Sequence, residues 1–298
     1  MSVIAVTSAR SGGITTTTVA LGLSWPARSL VAECDPAGGT VWATTHRGRR
    51  RSRGGLRAVA LSARRPDFTP TEFWAATQPL LDGRGHVLTG ITDPAQLPVV
   101  AAKWGWLSEA FQALGYQQPP TDVIVDCGRL GTEGFPTPIV AAADCVLLLI
   151  QPTLADVSHA QGRVPALRAM LADGQLLKAA LVCAGPYSVA RVAEAVDLDV
   201  IADLPPDGRA AAMLNGDALA GPRLDRSPLM RAAADLAADL FAATSKGRIP
   251  ARPPYPPPDE RPGQVPGLVP QPHFGDLGLM TSQRSTEDLR KIYLGVSS

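Results

Sequence analysis

The sequence predicts an α/β fold in which helices flank a doubly wound, mainly parallel sheet. Short aliphatic and β-branched runs alternate along the chain with segments of helical length, which is the order that parallel strands joined by crossover helices require. The runs are apolar at nearly every position, as expected for strands that are covered on both faces. Several of the segments between them open with residues that typically cap helices.

Each predicted element has its own local signal. The strand runs occupy residues 2–6, 29–34, 86–90, 122–127, 144–150, 178–183 and 199–202. The sequences Thr-Pro-Thr-Glu at 69–72 and Asp-Pro-Ala-Gln at 93–96 place a capping residue, a proline and an acid or amide in the order that begins a helix. A last helix begins at Pro228 and places Leu229, Leu236 and Leu240 on one face.

The overall composition indicates a globular protein. A net charge of +1 and 45% hydrophobic residues are ordinary values, and they indicate no polyanionic partner for the chain as a whole. No secretory signal is expected at the N-terminus, because Arg10 and a polar loop interrupt any apolar region. The longest apolar run, residues 139–150, is too short to span a bilayer and contains Asp144. A cytoplasmic protein without a membrane span is expected.

A change in composition divides the chain after residue 244. Residues 250–272 contain ten prolines, so the segment 245–284 is expected to be a disordered, proline-rich linker. The last segment, residues 285–298, has a capping sequence before apolar residues, which predicts a short helix that docks on a protein partner. A fraying tail is the alternative. We expect one folded domain, residues 1–244, before this tail.

The polar segment directly after the first strand has the frame of a phosphate-binding loop. Its residues are Ser11, Gly12, Gly13, Ile14, Thr15, Thr16, Thr17 and Thr18. In such loops glycines let backbone N–H groups turn toward a phosphate at a helix N-terminus, a lysine reaches the terminal phosphates, and a Ser or Thr hydroxyl holds Mg²⁺. Here the glycines and threonines are present and the lysine is missing. Taken alone, the segment also fits a plain turn before a helix.

Two further segments follow in a fixed order. Residues 33–38 (Glu-Cys-Asp-Pro-Ala-Gly) end the second predicted strand, and residues 123–128 (Val-Ile-Val-Asp-Cys-Gly) end a later one. Together with the loop, these segments resemble the MinD/ParA family of deviant Walker ATPases, which have the SIMIBI type of P-loop NTPase fold and a loop that reads KGGxGKT. When Gly12 and Gly13 are aligned with the paired glycines of that loop, Ser11 and Thr16 occupy the positions of its two lysines. The resemblance covers roughly residues 1–244.

The resemblance implies a site for ATP and Mg²⁺. In it, Thr17 holds the metal, Asp126 holds it through water, and Asp35 positions the attacking water. The residues of the loop would surround the phosphates. The resemblance also implies a homodimer and a role in positioning chromosomes, septa, or secretion and pilus machinery.

The missing lysines predict weak nucleotide binding and little hydrolysis. A charge-assisted hydrogen bond contributes about 1.5–3 kcal/mol, roughly ten- to hundred-fold in affinity for each lysine. Negative charge on the γ-phosphoryl group in the transition state needs those cations more than bound ATP does. We therefore expect a degenerate site, a pseudo-ATPase, in an adaptor or localisation factor. The alternative is an active ATPase in which Arg10 or a partner's residue replaces a lysine.

Thr15 predicts a change in the path of the loop. It stands where the family's loop has a glycine, and β-branched residues rarely adopt a positive φ. The backbone of this loop is therefore expected to differ from that of the intact motif.

An arginine-rich segment follows the second predicted strand. It contains Arg47, Arg49, Arg50, Arg51 and Arg53. No acidic residue lies between Asp35 and Asp67, and a solvated loop is the ordinary interpretation of such a run. The alternative is a module that binds DNA non-specifically, as ParA relatives do through basic surface residues.

Overall fold

The computed structural model describes residues 2–10, 12–41, 54–63, 65, 68–81, 83–219, 221 and 223–245. Three parts of the sequence predictions lie outside these residues: Ser11, the arginine-rich segment with Arg47, Arg49, Arg50, Arg51 and Arg53, and the chain from residue 246 onward. The proline-rich linker, the docking helix and the DNA-binding patch therefore remain predictions.

An eight-stranded sheet forms the centre of the described chain. Its strands are β1 Val3–Ser8, β2 Ser29–Glu33, β3 Gln78–Leu80, β4 Gly85–Leu88, β5 Asp122–Arg129, β6 Cys145–Ile150, β7 Leu176–Val182 and β8 Val200–Leu204. Their order across the sheet is β3-β4-β2-β5-β1-β6-β7-β8. Every neighbouring pair is parallel except β3 with β4. The predicted doubly wound, mainly parallel sheet is confirmed.

Helices cover both faces of this sheet. They are α1 Ile14–Ser24, α2 Leu56–Ser62, α3 Pro70–Ala75, α4 Leu97–Ala101, α5 Trp104–Ala113, α6 Thr137–Ala142, α7 Leu154–Met170, α8 Val189–Val196, α9 Gly208–Asn215 and α10 Pro228–Ser245. Helices α1, α9 and α10 pack against one face, where Leu21, Leu214 and Leu236 are buried. Helices α2 to α8 cover the other face. Within the described residues, no helix is both long and apolar enough to cross a membrane.

The capping signals locate the helices well. Thr69 accepts a hydrogen bond from the backbone N–H of Glu72, and the Glu72 side chain accepts one from the backbone N–H of Thr69, which completes the predicted capping box of α3. The start at residue 93 leads to a 3-10 turn, Pro94–Gln96, and then to α4 and α5. The sequence gives no signal for β3, because it has three residues with Pro79 at its centre; an edge strand tolerates a proline.

The connectivity of the sheet changes direction at β1. After β1 the chain adds β2 and β4 on one side, and after β5 it adds β6, β7 and β8 on the other side. Such a switch point leaves a crevice outside the carboxyl ends of the strands, because the connections from β1 to β2 and from β5 to β6 run in opposite directions across the sheet. The loops that follow β1 and β2 and the end of β5 meet at this edge.

Candidate functional site

A cleft of about 720 Å³ opens at the switch point. It is lined by Arg10, Gly12, Gly13, Ile14, Thr15, Thr16, Asp35, Thr40, Arg129, Asn215 and Asp217. The β1–α1 loop and the first turn of α1 supply one wall. The loop after β2, the end of β5 and the segment around the end of α9 supply the remainder. Most residues of the predicted phosphate loop, together with Asp35, therefore line one cavity.

The N-terminus of α1 faces this cleft without a capping side chain. Gly13 is the N-cap residue, and its φ of 88° lies in the left-handed region that glycine adopts readily. A Cβ atom at Gly12 or Gly13 would meet no atom within 4 Å, so the space in front of the loop is open. Among the described residues no side chain caps α1, and its first turn has no acidic residue. The helix therefore presents its unsatisfied N–H groups and the positive end of its dipole to the cleft.

Thr15 connects this helix to the end of β5. The helix begins at Ile14, so Thr15 has helical backbone angles and avoids the positive φ that a loop glycine would need. Its hydroxyl donates a hydrogen bond of 2.5 Å to Oδ2 of Asp126. The other carboxylate oxygen of Asp126 accepts a 3.0 Å hydrogen bond from the backbone N–H of Gly128. Thr15 lines the cleft, and its hydroxyl connects the cleft to Asp126, which is buried directly behind it.

Burial makes Asp126 an unusual carboxylate. Its side chain is 1% exposed, and desolvation raises its pKa to about 7. The hydrogen bonds from Thr15 and Gly128 oppose this rise, while the nearby Asp35 and Glu33 add to it. A carboxylate in this position favours a proton or a metal cation beside it, because the isolated charge is costly to bury.

Asp35 is held at the rim of the cleft by its own loop. Its Oδ1 accepts a 2.8 Å hydrogen bond from the backbone N–H of Ala37. Partial burial raises the pKa of Asp35, and the bond from Ala37 and the charge of Arg129 act in the opposite direction. The carboxyl group packs directly on the backbone at Gly128, where a Cβ atom would lie 2.3 Å from Oδ1. Asp35 is therefore oriented by Ala37 and by the end of β5.

Glu33 organises the loop behind Asp35. It is 1% exposed, and its carboxylate accepts hydrogen bonds of 2.8, 2.9 and 3.0 Å from the backbone N–H groups of Thr40, Val41 and Gly90. Burial raises the pKa of Glu33, and the three backbone hydrogen bonds oppose that effect. This carboxylate is a structural anchor, because its oxygens are committed to the backbone.

The remaining threonines of the predicted loop have different environments. The hydroxyl of Thr16 donates a 3.0 Å hydrogen bond to Oδ1 of Asn215, which joins the start of α1 to the end of α9. Thr17 is 3% exposed, and Thr18 donates to the carbonyl of Ile14 within the helix at 2.9 Å. Neither Thr17 nor Thr18 lines the cleft among the described residues.

Several lining residues were absent from the sequence predictions. Arg129 directly follows the segment Val-Ile-Val-Asp-Cys-Gly at 123–128, so its position beside that motif was a usable signal. Asn215 and Asp217 lie about ninety residues after the segment at 123–128, and the packing of α9 beside α1 brings them to the cleft. Lysine is absent from the described lining residues, and Arg10 and Arg129 are the cations among them.

The described residues fit a magnesium-bound polyphosphate. The open, uncapped N-terminus of α1 suits a phosphate group. The hydroxyl of Thr15 and the buried Asp126 are oxygen ligands of the kind that Mg²⁺ prefers, directly or through water. Asp35 and Asp217 also line the cleft, and their negative charges would repel a free polyanion. A polyphosphate that carries Mg²⁺ suits the cleft better, because the metal neutralises part of its charge.

Solved structures with this fold include ATPases of the ParA and MinD type. A ParA family ATPase from Chlorobium tepidum matches with a TM-score of 0.64 and 14% identity, over 80% of this chain and 98% of that one. MinD from Pyrococcus horikoshii, solved with Mg-ADP, matches with a TM-score of 0.63 and 17% identity, over 80% and 95%. MinD from Aquifex aeolicus, solved in a complex with MinC, matches with a TM-score of 0.61 and 20% identity, over 81% and 96%.

These matches confirm the expected MinD/ParA-like P-loop fold, and at such identities they establish similarity of fold. No protein-family model matches the chain, and no curated protein matches it in sequence.

Proposed function

We propose that this protein binds Mg·ATP weakly, hydrolyses it slowly or not at all, and acts as an adaptor or localisation factor. The observation that carries the proposal is the cleft at the uncapped N-terminus of α1, where Thr15 meets Asp126 and no described lining residue is a lysine. The frame of a phosphate site is present, whereas the cation that drives phosphoryl transfer in the intact motif is missing.

The contact between Thr15 and Asp126 favours Thr15 as the metal-binding hydroxyl. In the intact motif the Ser or Thr that holds Mg²⁺ follows the lysine directly. If Thr15 takes that role, Gly13 and Ile14 occupy the last two positions before it, and Ile14 replaces the lysine. Alignment of the paired glycines suggested Thr17 for the metal, but Thr17 is 3% exposed and lies two residues, about half a turn, further along α1. When Mg²⁺ is bound, it would neutralise phosphate charge, and Thr15 and Asp126 would hold it.

Slow hydrolysis follows from the side chains that face the cleft. Arg10 and Arg129 are positive, but neither follows the glycines from within α1, as the lysine of the intact motif does. Backbone N–H groups and Mg²⁺ retain part of the affinity for the ground state. The transition state needs a cation at the γ-phosphoryl group, and a single donor of that kind contributes roughly a hundred- to a thousand-fold in rate.

The adaptor role is the proposal for what nucleotide binding accomplishes. MinD from Aquifex aeolicus was solved as a complex with MinC, which motivates a protein partner for this chain also. A homodimer, constitutive or linked to weak nucleotide binding, is part of the same proposal. The chain from residue 246 onward, with its proline-rich sequence, is the segment that we propose for partner contact.

One observation favours a working ATPase as the second candidate. Asp35 lines the cleft, is oriented by the N–H of Ala37, and has the charge of Arg129 beside it. That is the arrangement needed for a carboxylate that positions water. In this alternative Arg10 or a partner's residue replaces the lysine, and hydrolysis is rapid.

Titration with a fluorescent ATP analogue and Mg²⁺ tests the proposed site through a matched pair of threonine variants. Thr15→Val is expected to weaken Mg²⁺-dependent binding roughly ten- to hundred-fold, because it removes a hydroxyl that contacts a charged group. Thr17→Val changes a buried side chain that does not line the cleft, and its affinity is expected to stay near the wild-type value. Thermal melts of both variants verify folding.

If Thr17→Val weakened Mg²⁺-dependent binding and Thr15→Val did not, the metal would be assigned to Thr17. A wild-type protein that binds no nucleotide, with or without Mg²⁺, would refute the proposed function.

A further inference from the structure

The strand β5 carries an irregularity where it passes β1. Val6 pairs with Asp126, and Ser8 pairs with Arg129. Between these two pairs the chain advances by two residues in β1 and by three residues in β5. One strand therefore has an extra residue, which is a β-bulge. Gly128 lies within it and has a φ of 66°. Bulges commonly redirect side chains beside functional sites.

The bulge changes the face of the sheet on which Arg129 lies. Side chains of a regular strand alternate between the two faces, so Arg129 would otherwise share the face of Val125 and Cys127, which is covered by α2 to α8. With the extra residue, Arg129 pairs with Ser8. Ser8 lies two residues after Val6 and therefore on the same face of the sheet, and Val6 packs on the α1 face. Asp126 and Arg129 consequently both point to the α1 side, and Arg129 lines the cleft.

The backbone around Arg129 is fixed on both sides. The Thr7 hydroxyl donates a 2.7 Å hydrogen bond to the carbonyl of Gly128, and the N–H of Leu130 donates a 2.9 Å bond to the carbonyl of Ser8. The guanidinium of Arg163 donates a 2.7 Å bond to the carbonyl of Leu130. An anchored backbone lowers the ordering cost when a ligand engages this side chain.

The side chain of Arg129 is exposed, and it forms no ion pair with any described residue. An arginine can donate two parallel hydrogen bonds to one phosphate group. Arg129 lines the same cleft as Gly12, Gly13 and the first turn of α1, so one bound phosphate chain could contact both its guanidinium and the N-terminus of the helix.

We propose that Arg129, which the bulge at Gly128 places in the cleft, is a phosphate-binding residue that partly replaces the missing lysine. This assignment rests on the proposed function, since it concerns the same cleft. It is specific to the polyphosphate part of the ligand and does not depend on the base.

Binding measurements with two probes test this role. The fluorescent ATP analogue with Mg²⁺ and inorganic tripolyphosphate with Mg²⁺ are each titrated into wild type, Arg129→Gln and Arg129→Lys. The Gln variant is expected to raise the Kd for both probes roughly ten- to hundred-fold, and the Lys variant is expected to raise it less because it keeps the charge. Arg168→Gln is the matched control: Arg168 pairs with Asp197 near the end of α7, and its change should leave both values unaltered.

The outcomes separate this role from the proposed function. If wild type binds the ATP analogue and Arg129→Gln has the same Kd, the role of Arg129 is overturned and the proposed function stands. Wild type that binds neither probe overturns both. If Arg129→Gln does not fold, modification of wild type by phenylglyoxal decides: Mg·ATP is expected to protect Arg129 at least several-fold, and an unprotected Arg129 overturns the role.

Discussion

Asp126→Asn is expected to stabilise the magnesium-free protein at pH 8 and to remove most of its loss of stability between pH 5 and pH 8. The pKa of Asp126 is about 7 in the folded protein, against an ordinary value of 3.8. Since each pKa unit corresponds to about 1.4 kcal/mol, the ionised carboxylate costs the folded state about 4 kcal/mol. The amide of asparagine carries no charge and still accepts the hydrogen bond from Gly128.

The direction of the pH effect follows from proton binding. Between the unfolded and folded pKa values, the folded state holds the proton on Asp126 more tightly than the unfolded state does. The free energy of unfolding therefore falls as the pH rises from about 4 to about 7, and it is level above that. Glu33 and Asp35 have pKa values raised by burial, so a smaller slope of the same sign should remain in the variant.

Thermal melts in the absence of Mg²⁺ measure this effect. Between pH 5 and pH 8 the Tm of wild type is expected to fall by on the order of 10 °C, and that of Asp126→Asn by clearly less. Asp235→Asn, on the exposed side of α10, is the matched control and should follow wild type. Equal losses of Tm in wild type and Asp126→Asn would show that Asp126 is not the buried charge that the geometry implies.

Gly128→Ala is expected to lower the free energy of unfolding by about 2–4 kcal/mol. The φ of 66° at Gly128 is unfavourable for a residue with a Cβ atom, which contributes about 1–2 kcal/mol. The new methyl group would also lie 2.3 Å from Oδ1 of Asp35. The carboxyl group has to turn away, and it then loses the hydrogen bond from Ala37.

The same change is expected to weaken Mg·ATP binding, because Gly128 sets the bulge that places Arg129 in the cleft.

Chemical denaturation measures the free energy of unfolding of Gly128→Ala and wild type. Gly162→Ala is the matched control: it lies on the exposed side of α7, a Cβ atom there meets nothing within 4 Å, and alanine in a helix is favoured by up to about 1 kcal/mol. If Gly128→Ala were as stable as wild type, the bulge would not be a constrained feature.

The parts of the site that sequence could locate are those with local signals. A strand followed by Gly12 and Gly13, and a later strand that ends at Asp126, identify themselves through neighbouring residues. Parallel strands end at the same edge, so these segments had to lie close together once the sheet was predicted. The fold follows from the alternation of strand and helix signals along the chain, and the position of the cleft follows from these segments together with the predicted sheet.

The finer geometry depends on interactions that no single segment encodes. Four consecutive threonines leave the register of the motif open, and the left-handed Gly13 sets the helix start that brings Thr15 to Asp126. The side on which Arg129 lies depends on the pairing of β5 with β1, which are more than a hundred residues apart. Asn215 reaches Thr16 only through the packing of α9 against α1.

Phosphate release from saturating Mg·ATP tests the central claim most directly: the cleft retains a nucleotide site that has lost efficient hydrolysis. The measurement compares wild type with Asp35→Ala, because Asp35 is the cleft residue that would position water. A wild-type rate no higher than that of Asp35→Ala, together with measurable binding of nucleotide, is the predicted result. A rate well above background that falls at least ten-fold in Asp35→Ala would contradict the claim and establish a working ATPase.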